Sequence, residues 1–241
     1  MCSNYQPVTR GDRMLAFFGV ERDFTREVPP EAYPLHVAPF IRLAEPGSGN
    51  KVMAGLGQFG LLPPFATEVA YGRRTYNARS ETVHSKPSFR QAWRRGQRCI
   101  VPAEAVYEPR YNDDLTVERW IVQQPGAVPM GIAGIYDCWK GPDGRDLYSF
   151  AMLTVNADGH PVYGQFHEPG EEKRMVAILD PRDYEAWLTC PVADAMRYVK
   201  AWTGPLEAFA RPRPPRAPRA ASGQTVVPRR KPQPPENGQL F

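Results

Sequence analysis

The chain has 241 residues, 42% of them hydrophobic, and a formal net charge of +4, which suits one sizeable core and excludes a fibrous or wholly disordered protein. The start is polar and no run of 18 apolar residues occurs, so neither a secretory leader nor a membrane span is expected, and the chain reads as soluble and cytoplasmic. The basic excess sits at one end: residues 211–241 hold seven Arg or Lys and one Glu, leaving 23 basic against 25 acidic groups in residues 1–210. Any contact of the folded part with a polyanion must therefore rest on local placement of charge.

The chain opens "MCSNYQPV". A small residue at position 2 favours removal of the initiator methionine, which would leave Cys2 with a free α-amine and a thiol on adjacent carbons. That 1,2-aminothiol offers two nucleophiles to one aldehyde: the amine forms an imine and the thiol closes a thiazolidine ring. The other cysteines, Cys99, Cys138 and Cys190, form no CxxC pair and have no histidine at zinc-ligand spacing, so neither a disulfide framework nor a structural metal is expected.

Further along, "SKPSFRQAWRRG" predicts a short helix, with Pro87 in its first turn, Phe89 and Trp93 on one face and Gly96 at its end. "RCIVPAEAVYE" predicts an apolar strand followed by a turn, and "ERWIVQQ" another strand. "MGIAGIYDCW" and "LYSFAMLTV" flank "KGPDGRD", a hairpin pattern. "RMVAILD" reads as a buried strand, after which Asp180 caps a helix running from Pro181 through "DYEAWL". Strands dominate and helices are short, so the expected class is α+β, a β-rich single domain over residues 2–210. The Pro- and Arg-rich stretch 211–241 is expected to be a disordered tail.

Four blocks stand in a fixed order: "MC" at the start, "NARSET", "RCIVPAEAVYE" and a histidine ahead of "RMVAIL". Together they resemble the SOS response-associated peptidase (SRAP) family, over approximately residues 2–190. The resemblance implies a barrel-like sheet core with short peripheral helices. It also implies that the processed Cys2 attacks the ring-opened sugar aldehyde of an abasic site in single-stranded DNA, leaving a thiazolidine-linked adduct without any cofactor. An α-amine with pKa of about 7.7–8.0 and a thiol near 8.5 are poised for that reaction at cellular pH.

The same resemblance suggests roles residue by residue. Cys2 is the nucleophile, and Asn77 of "NARSET" holds the N-terminus by hydrogen bonding. Arg79 binds phosphate, the alternative being a salt bridge with Glu81. Glu108 of "VYEPR" is the active-site carboxylate, with Glu104 as rival, and His167 is the proton-handling histidine, with His160 as rival; His36 and His84 read as structural. Phe59 and Phe65 of "GQFGLLPPF" stand where the family usually has tryptophans and are candidates to stack on exposed bases. Arg174 is read as a further phosphate contact.

The chain departs from the family pattern in several places. Ser3 and Asn4 replace a usual Gly-Arg pair, removing one expected phosphate contact, His36 stands where asparagine is common, and Pro109 replaces a tryptophan after Glu108. "EPGEEK", between His167 and Arg174, is longer than the family link and adds three glutamates. Folded over the site, they would oppose DNA phosphates; projecting outward, they would leave Arg174 able to reach them. Two other readings are a cysteine peptidase or amidohydrolase, with removal of Met1 as its minimal form, and a non-catalytic single-strand-binding module. The expected partner is abasic single-stranded DNA, met by a monomer, with no membrane involved.

Overall fold

A computed structural model describes residues 2–213 apart from Asp23, Asn50 and Leu115. The strands are β1 (Asn4–Pro7), β2 (Val37–Leu43), β3 (Val52–Phe59), β4 (Asn77–Arg79), β5 (Arg98–Tyr111), β6 (Val117–Gln123), β7 (Met130–Lys140), β8 (Asp146–Asn156), β9 (Arg174–Val176), β10 (Ile178–Leu179) and β11 (Glu207–Ala210). Three short helices accompany them: α1 (Gly11–Phe18), α2 (Arg90–Arg94) and α3 (Tyr184–Thr189). The α+β, β-rich single domain expected from the sequence is what forms. From 214 onward, the tail expected to be disordered lies outside the described residues.

Five strands close on themselves in the order β7, β8, β3, β2, β5 and back to β7. All contacts in that ring are antiparallel except β3 with β8, which is parallel. Closure leaves no unpaired edge within the ring. Its core holds Phe40, Phe59 and Phe150, with ring centroids 5.7 Å apart for both Phe40–Phe150 and Phe59–Phe150. At Gly134 any side chain would press on the Ala151 carbonyl and the Cys99 sulfur, each 2.9 Å from an added Cβ, so glycine allows the β5, β7 and β8 backbones to approach.

The long strand β5 corrects one expectation: "RCIVPAEAVYE" contains no turn. The chain runs straight through Pro102 because its two halves have different partners. Arg98–Ala103 pairs with β7, while Ala103–Tyr107 pairs with β1 and Val106–Tyr111 with β6. Pro102 falls near the change of neighbours, where one absent N–H is tolerated, and its carbonyl accepts the Val8 N–H at 3.0 Å. "RMVAILD" is likewise not one strand. It breaks at Ala177, whose N–H donates to Leu153 and whose carbonyl accepts from Ala133, as the chain crosses from β8, paired by β9, to β7, paired by β10.

The 141–145 hairpin, β6 and the helix at "SKPSFRQAWRRG" form as expected, the last shortened to α2 with Gly96 at φ +67°. Asp180 accepts the Arg182 N–H at the start of a 3₁₀ turn that leads into α3. Trp187 of α3 is fully buried and donates to the Cys99 carbonyl at 2.8 Å, while Arg98 donates to the Trp187, Leu188 and Cys190 carbonyls at the helix end. No helix among the described residues is long and apolar enough to cross a membrane.

Candidate active site

The site forms where the chain's beginning is laid along the outer half of β5. Antiparallel pairing sets Asn4 opposite Tyr107, which brings Cys2 into the interior at 1% exposure. Its sulfur donates to the Asn4 carbonyl at 3.4 Å. Burial, and then the nearby Glu108 carboxylate, push the Cys2 thiol well above its ordinary pKa, so the thiol is neutral at physiological pH.

Asn77 arrives by a different route. At Gly60 the backbone has φ +121°, and an added Cβ there would run into the Gly72 carbonyl; only glycine lets these two segments cross. The chain then enters the three-residue strand β4, parallel to β8, with Asn77 opposite Met152. From there the Asn77 amide donates to the Cys2 carbonyl at 2.8 Å.

Glu108 is 2% exposed on β5, and His167 is 9% exposed. The His167 Nε2 lies 3.2 Å from Glu108 Oε2, within ion-pair distance although the two are not aligned as a hydrogen bond. His167 is one of the few non-glycine residues with left-handed backbone, at φ +65°. Its N–H donates to the Pro109 carbonyl at 3.0 Å and its carbonyl accepts from the Lys173 amine at 3.3 Å, so two hydrogen bonds hold the strained residue against β5. Pro109, the departure beside Glu108, thus supplies the acceptor that docks the histidine.

Both rivals are engaged elsewhere. Glu104 is bound bidentately by Arg13 of α1 at 2.8 and 2.7 Å. The His160 Nδ1 accepts the Val162 and Tyr163 N–H groups, and its Nε2 faces the Trp202 carbonyl at 2.8 Å, which uses both ring nitrogens. His36 and His84 are exposed.

Two assignments toward DNA need correction. Arg174 is 2% exposed: its guanidinium is held by Glu81 at 2.8 and 3.0 Å, by Glu172 at 2.6 Å and by the Thr154 carbonyl at 2.7 Å. It is a buried strut and has no surface to offer a phosphate. Phe59 is fully buried, edge-on to Tyr5 at 5.2 Å and to Tyr76 at 5.7 Å, so it packs the core and cannot stack on a base. Phe65, 54% exposed beside Tyr71, is on the surface. Arg79 is half exposed, and its partner is not Glu81 but Glu172, at 2.7 Å. The acidic insertion therefore folds back toward the site through Glu172.

Residues that spacing did not nominate also gather here. Tyr163 is fully buried, and its hydroxyl has no hydrogen-bond partner among the described residues. Burial first, then the neighbouring Glu108 carboxylate and Cys2 thiol, raise its pKa well above the ordinary phenol value. Tyr76, directly ahead of "NARSET", is raised for the same reasons. Glu108 also lines a cleft of about 580 Å³, together with Ser3, Asn4, Tyr107 and Arg119. There Arg119 lies over the Tyr107 ring and donates to Asn4 at 2.7 Å and Glu31 at 2.6 Å. Asn4 itself is buried, so the position where the family has arginine is filled here by an interior residue.

Known proteins share much of this sequence and its fold. The abasic site processing protein YoqW of Bacillus subtilis is 28% identical over 191 residues, covering 78% of this chain and 80% of that protein. The abasic site processing protein HMCES of Xenopus tropicalis is 28% identical over 176 residues, covering 63% of this chain and 50% of its own length. A solved structure from Bordetella bronchiseptica superposes with a TM-score of 0.79 at 34% identity, covering 87% of this chain and 99% of that one. One from Bacteroides thetaiotaomicron, at 21% identity and a TM-score of 0.71, covers 87% and 91% and shares the fold. A profile of the SOS response associated peptidase (SRAP) family matches residues 1–210, the whole of the β-rich domain, and the chain belongs to that family.

Proposed function

We propose that this protein processes abasic sites in single-stranded DNA by capturing the lesion covalently through Cys2. The observation that carries the reading is the seating of Cys2: its carbonyl is held by Asn77 while its thiol is buried beside the Glu108–His167 pair. The relatives named as abasic site processing proteins support the same substrate class.

Removal of Met1 exposes the α-amine of Cys2. In its neutral form the amine adds to the C1′ aldehyde of the ring-opened sugar, and the resulting carbinolamine loses water to give an imine. The thiol adds to the imine carbon, its proton passes to the nitrogen, and a thiazolidine closes. The sequence balances with one water released and consumes no metal or organic cofactor. Glu108 is placed to take the proton from the α-ammonium, and His167 to deliver one to the departing hydroxyl; such transfers contribute about 10²–10⁴-fold each. Because the α-amine attacks first, a thiol held neutral is no obstacle until ring closure.

Arg79 and Phe65 serve as surface contacts to phosphate and base in this reading. The lesion must be unpaired, since an aldehyde inside a duplex is out of reach of a buried nucleophile. One copy of the chain supplies all four residues, so a monomer suffices, acting on DNA in the cytoplasm. A peptidase would need an activated thiolate, whereas the Cys2 thiol is held neutral against a backbone carbonyl.

Intact-mass spectrometry before and after incubation with a single-stranded oligonucleotide carrying one abasic site tests the proposal. A protein lacking the Met1 mass and forming a heat-stable adduct, which Cys2→Ala abolishes, is the expected result. A correctly processed protein that forms no adduct overturns it.

A further inference from the structure

The acidic insertion carries an inference of its own. Glu172 uses its two carboxylate oxygens separately. Oε1 is anchored by buried Arg174 at 2.6 Å and by Asn156 at 3.2 Å, while Oε2 accepts from Arg79 at 2.7 Å. The loop behind it is tied down: the Lys173 N–H donates to Asp158 at 2.9 Å, and its amine donates to the His167 and Glu168 carbonyls at 3.3 and 3.0 Å. The Glu172 carboxylate is therefore a fixture of the fold and not a side chain sweeping solvent, and its pKa is lowered chiefly by the hydrogen bond from Arg174.

A carboxylate on an arginine occupies the same donor fork that a phosphate would use. We propose that Glu172 is a specificity-determining residue, an internal competitor that holds Arg79 in place of a DNA phosphate and so suppresses binding to undamaged strands. This rests on the reading of Arg79 as a phosphate contact in the proposed function. A phosphate reaching Arg79 must displace Oε2 while Oε1 stays anchored on Arg174, which leaves a negative charge beside the incoming strand. An undamaged strand, held only by reversible ionic contacts, meets that opposition at every encounter. An abasic strand meets it once, before the covalent bond to Cys2 retains it.

The test measures anisotropy of a labelled, undamaged single-stranded oligonucleotide over a salt series. The proteins are the wild type, Glu172→Gln, Glu171→Gln, Arg79→Ala and the Arg79→Ala/Glu172→Gln double variant. Glutamine keeps an acceptor for Arg174, which also retains Glu81, so the single variant folds. Glu172→Gln is expected to bind about fivefold more tightly, the upper range for a partly exposed ion pair. Its log–log salt slope should steepen by roughly 0.7, one more phosphate neutralised on a single strand. In the Arg79→Ala background the gain disappears, and Glu171→Gln, an equal charge change on an exposed neighbour, gives less than about half of it at 0.15 M salt. No gain from Glu172→Gln, a gain that survives removal of Arg79, or an equal gain from Glu171→Gln overturns the proposal. Adduct formation by the wild type on an abasic strand, followed in parallel, separates the two readings. An adduct without the Glu172 effect sinks only the competitor; absence of an adduct sinks covalent capture, while the binding series still decides on Glu172.

Discussion

Two charged clusters meet the three-residue strand β4, one through Asn77 and the other through Arg79, and they are built on opposite plans. Around Cys2, one carboxylate, one imidazole and one amide are sunk in an aromatic setting with little around them to screen charge. Around Arg79 and Arg174, two guanidiniums share Glu81 and Glu172 in a network that runs from the interior to the surface. In the proposed function the first concentrates reactivity in a low-dielectric pocket, where each proton position matters. The second spends its charge on internal pairing. Its two arginines differ as sharply as the clusters do: Arg174 is a strut with every donor direction enclosed, whereas Arg79 keeps half its surface in solvent.

Breaking the first cluster should give the largest effect. Glu108→Gln preserves shape but removes the proton acceptor, and the rate of adduct formation on an abasic strand is expected to fall by about 10²–10⁴-fold. Single-turnover gel assays measure this, and a melting temperature near that of the wild type would show that the loss is chemical. If Glu108→Gln reacts as fast as the wild type, the contrast between the clusters fails.

The second cluster should answer in stability. In the double variant Glu81→Gln/Glu172→Gln, Arg174 is left as a buried charge without a counter-ion, which costs about 3–5 kcal/mol. Arg79→Ala removes only a partly exposed partner and costs under about 1 kcal/mol. Urea denaturation of the two proteins side by side checks the ratio, and equal losses would show that exposure does not separate the arginines.

The same pairing sets a pH dependence. Arg174 lowers the pKa of both Glu81 and Glu172 through side-chain hydrogen bonds. A carboxylate with a depressed folded-state pKa contributes stability that is present above its unfolded value, about 4.3 for glutamate, and lost as pH falls through the folded one. Thermal melts taken from pH 6 down to pH 3 should therefore show an acid loss that is shallower in the double variant. An identical pH profile would place the acid-labile groups elsewhere.

These contrasts explain what was legible in the sequence. Cys2, Asn77, Glu108 and His167 can be nominated from sequence because the order of motifs fixes which residues to compare, and three of them sit on or beside paired strands with a set register. Arg174 and Phe59 were misread because a motif carries no information on burial: an arginine next to an acidic loop looks like a surface ligand until Glu81, 93 residues away in sequence, closes on it. Strand β4 escaped notice because three residues show no periodicity, and its parallel partner β8 lies some seventy residues on. Long apolar runs such as β7 and β8 and the hairpin between them were readable from composition and turn residues alone. The turn expected inside β5 was wrong for a tertiary reason, the exchange of neighbours around Pro102.

The smallest expected effect is the one that best isolates the Glu108–His167 pair. Tyr163 is a buried phenol near Glu108 and Cys2, yet burial first and then the Glu108 carboxylate raise its pKa well above the ordinary value, so it stays protonated and is a weak acid at physiological pH. Its hydroxyl is fully enclosed without a hydrogen-bond partner among the described residues, a situation that typically costs about 1–3 kcal/mol. Tyr163→Phe keeps the ring against Phe166 and His160 and removes that cost, so the variant should be as stable as the wild type or more stable by about 1 kcal/mol. Its rate of adduct formation should stay within about threefold of wild type, well short of the loss assigned to a working acid or base. A slowing comparable to that of Glu108→Gln, with stability unchanged, would move the proton transfer from the carboxylate–imidazole pair to the phenol beside it.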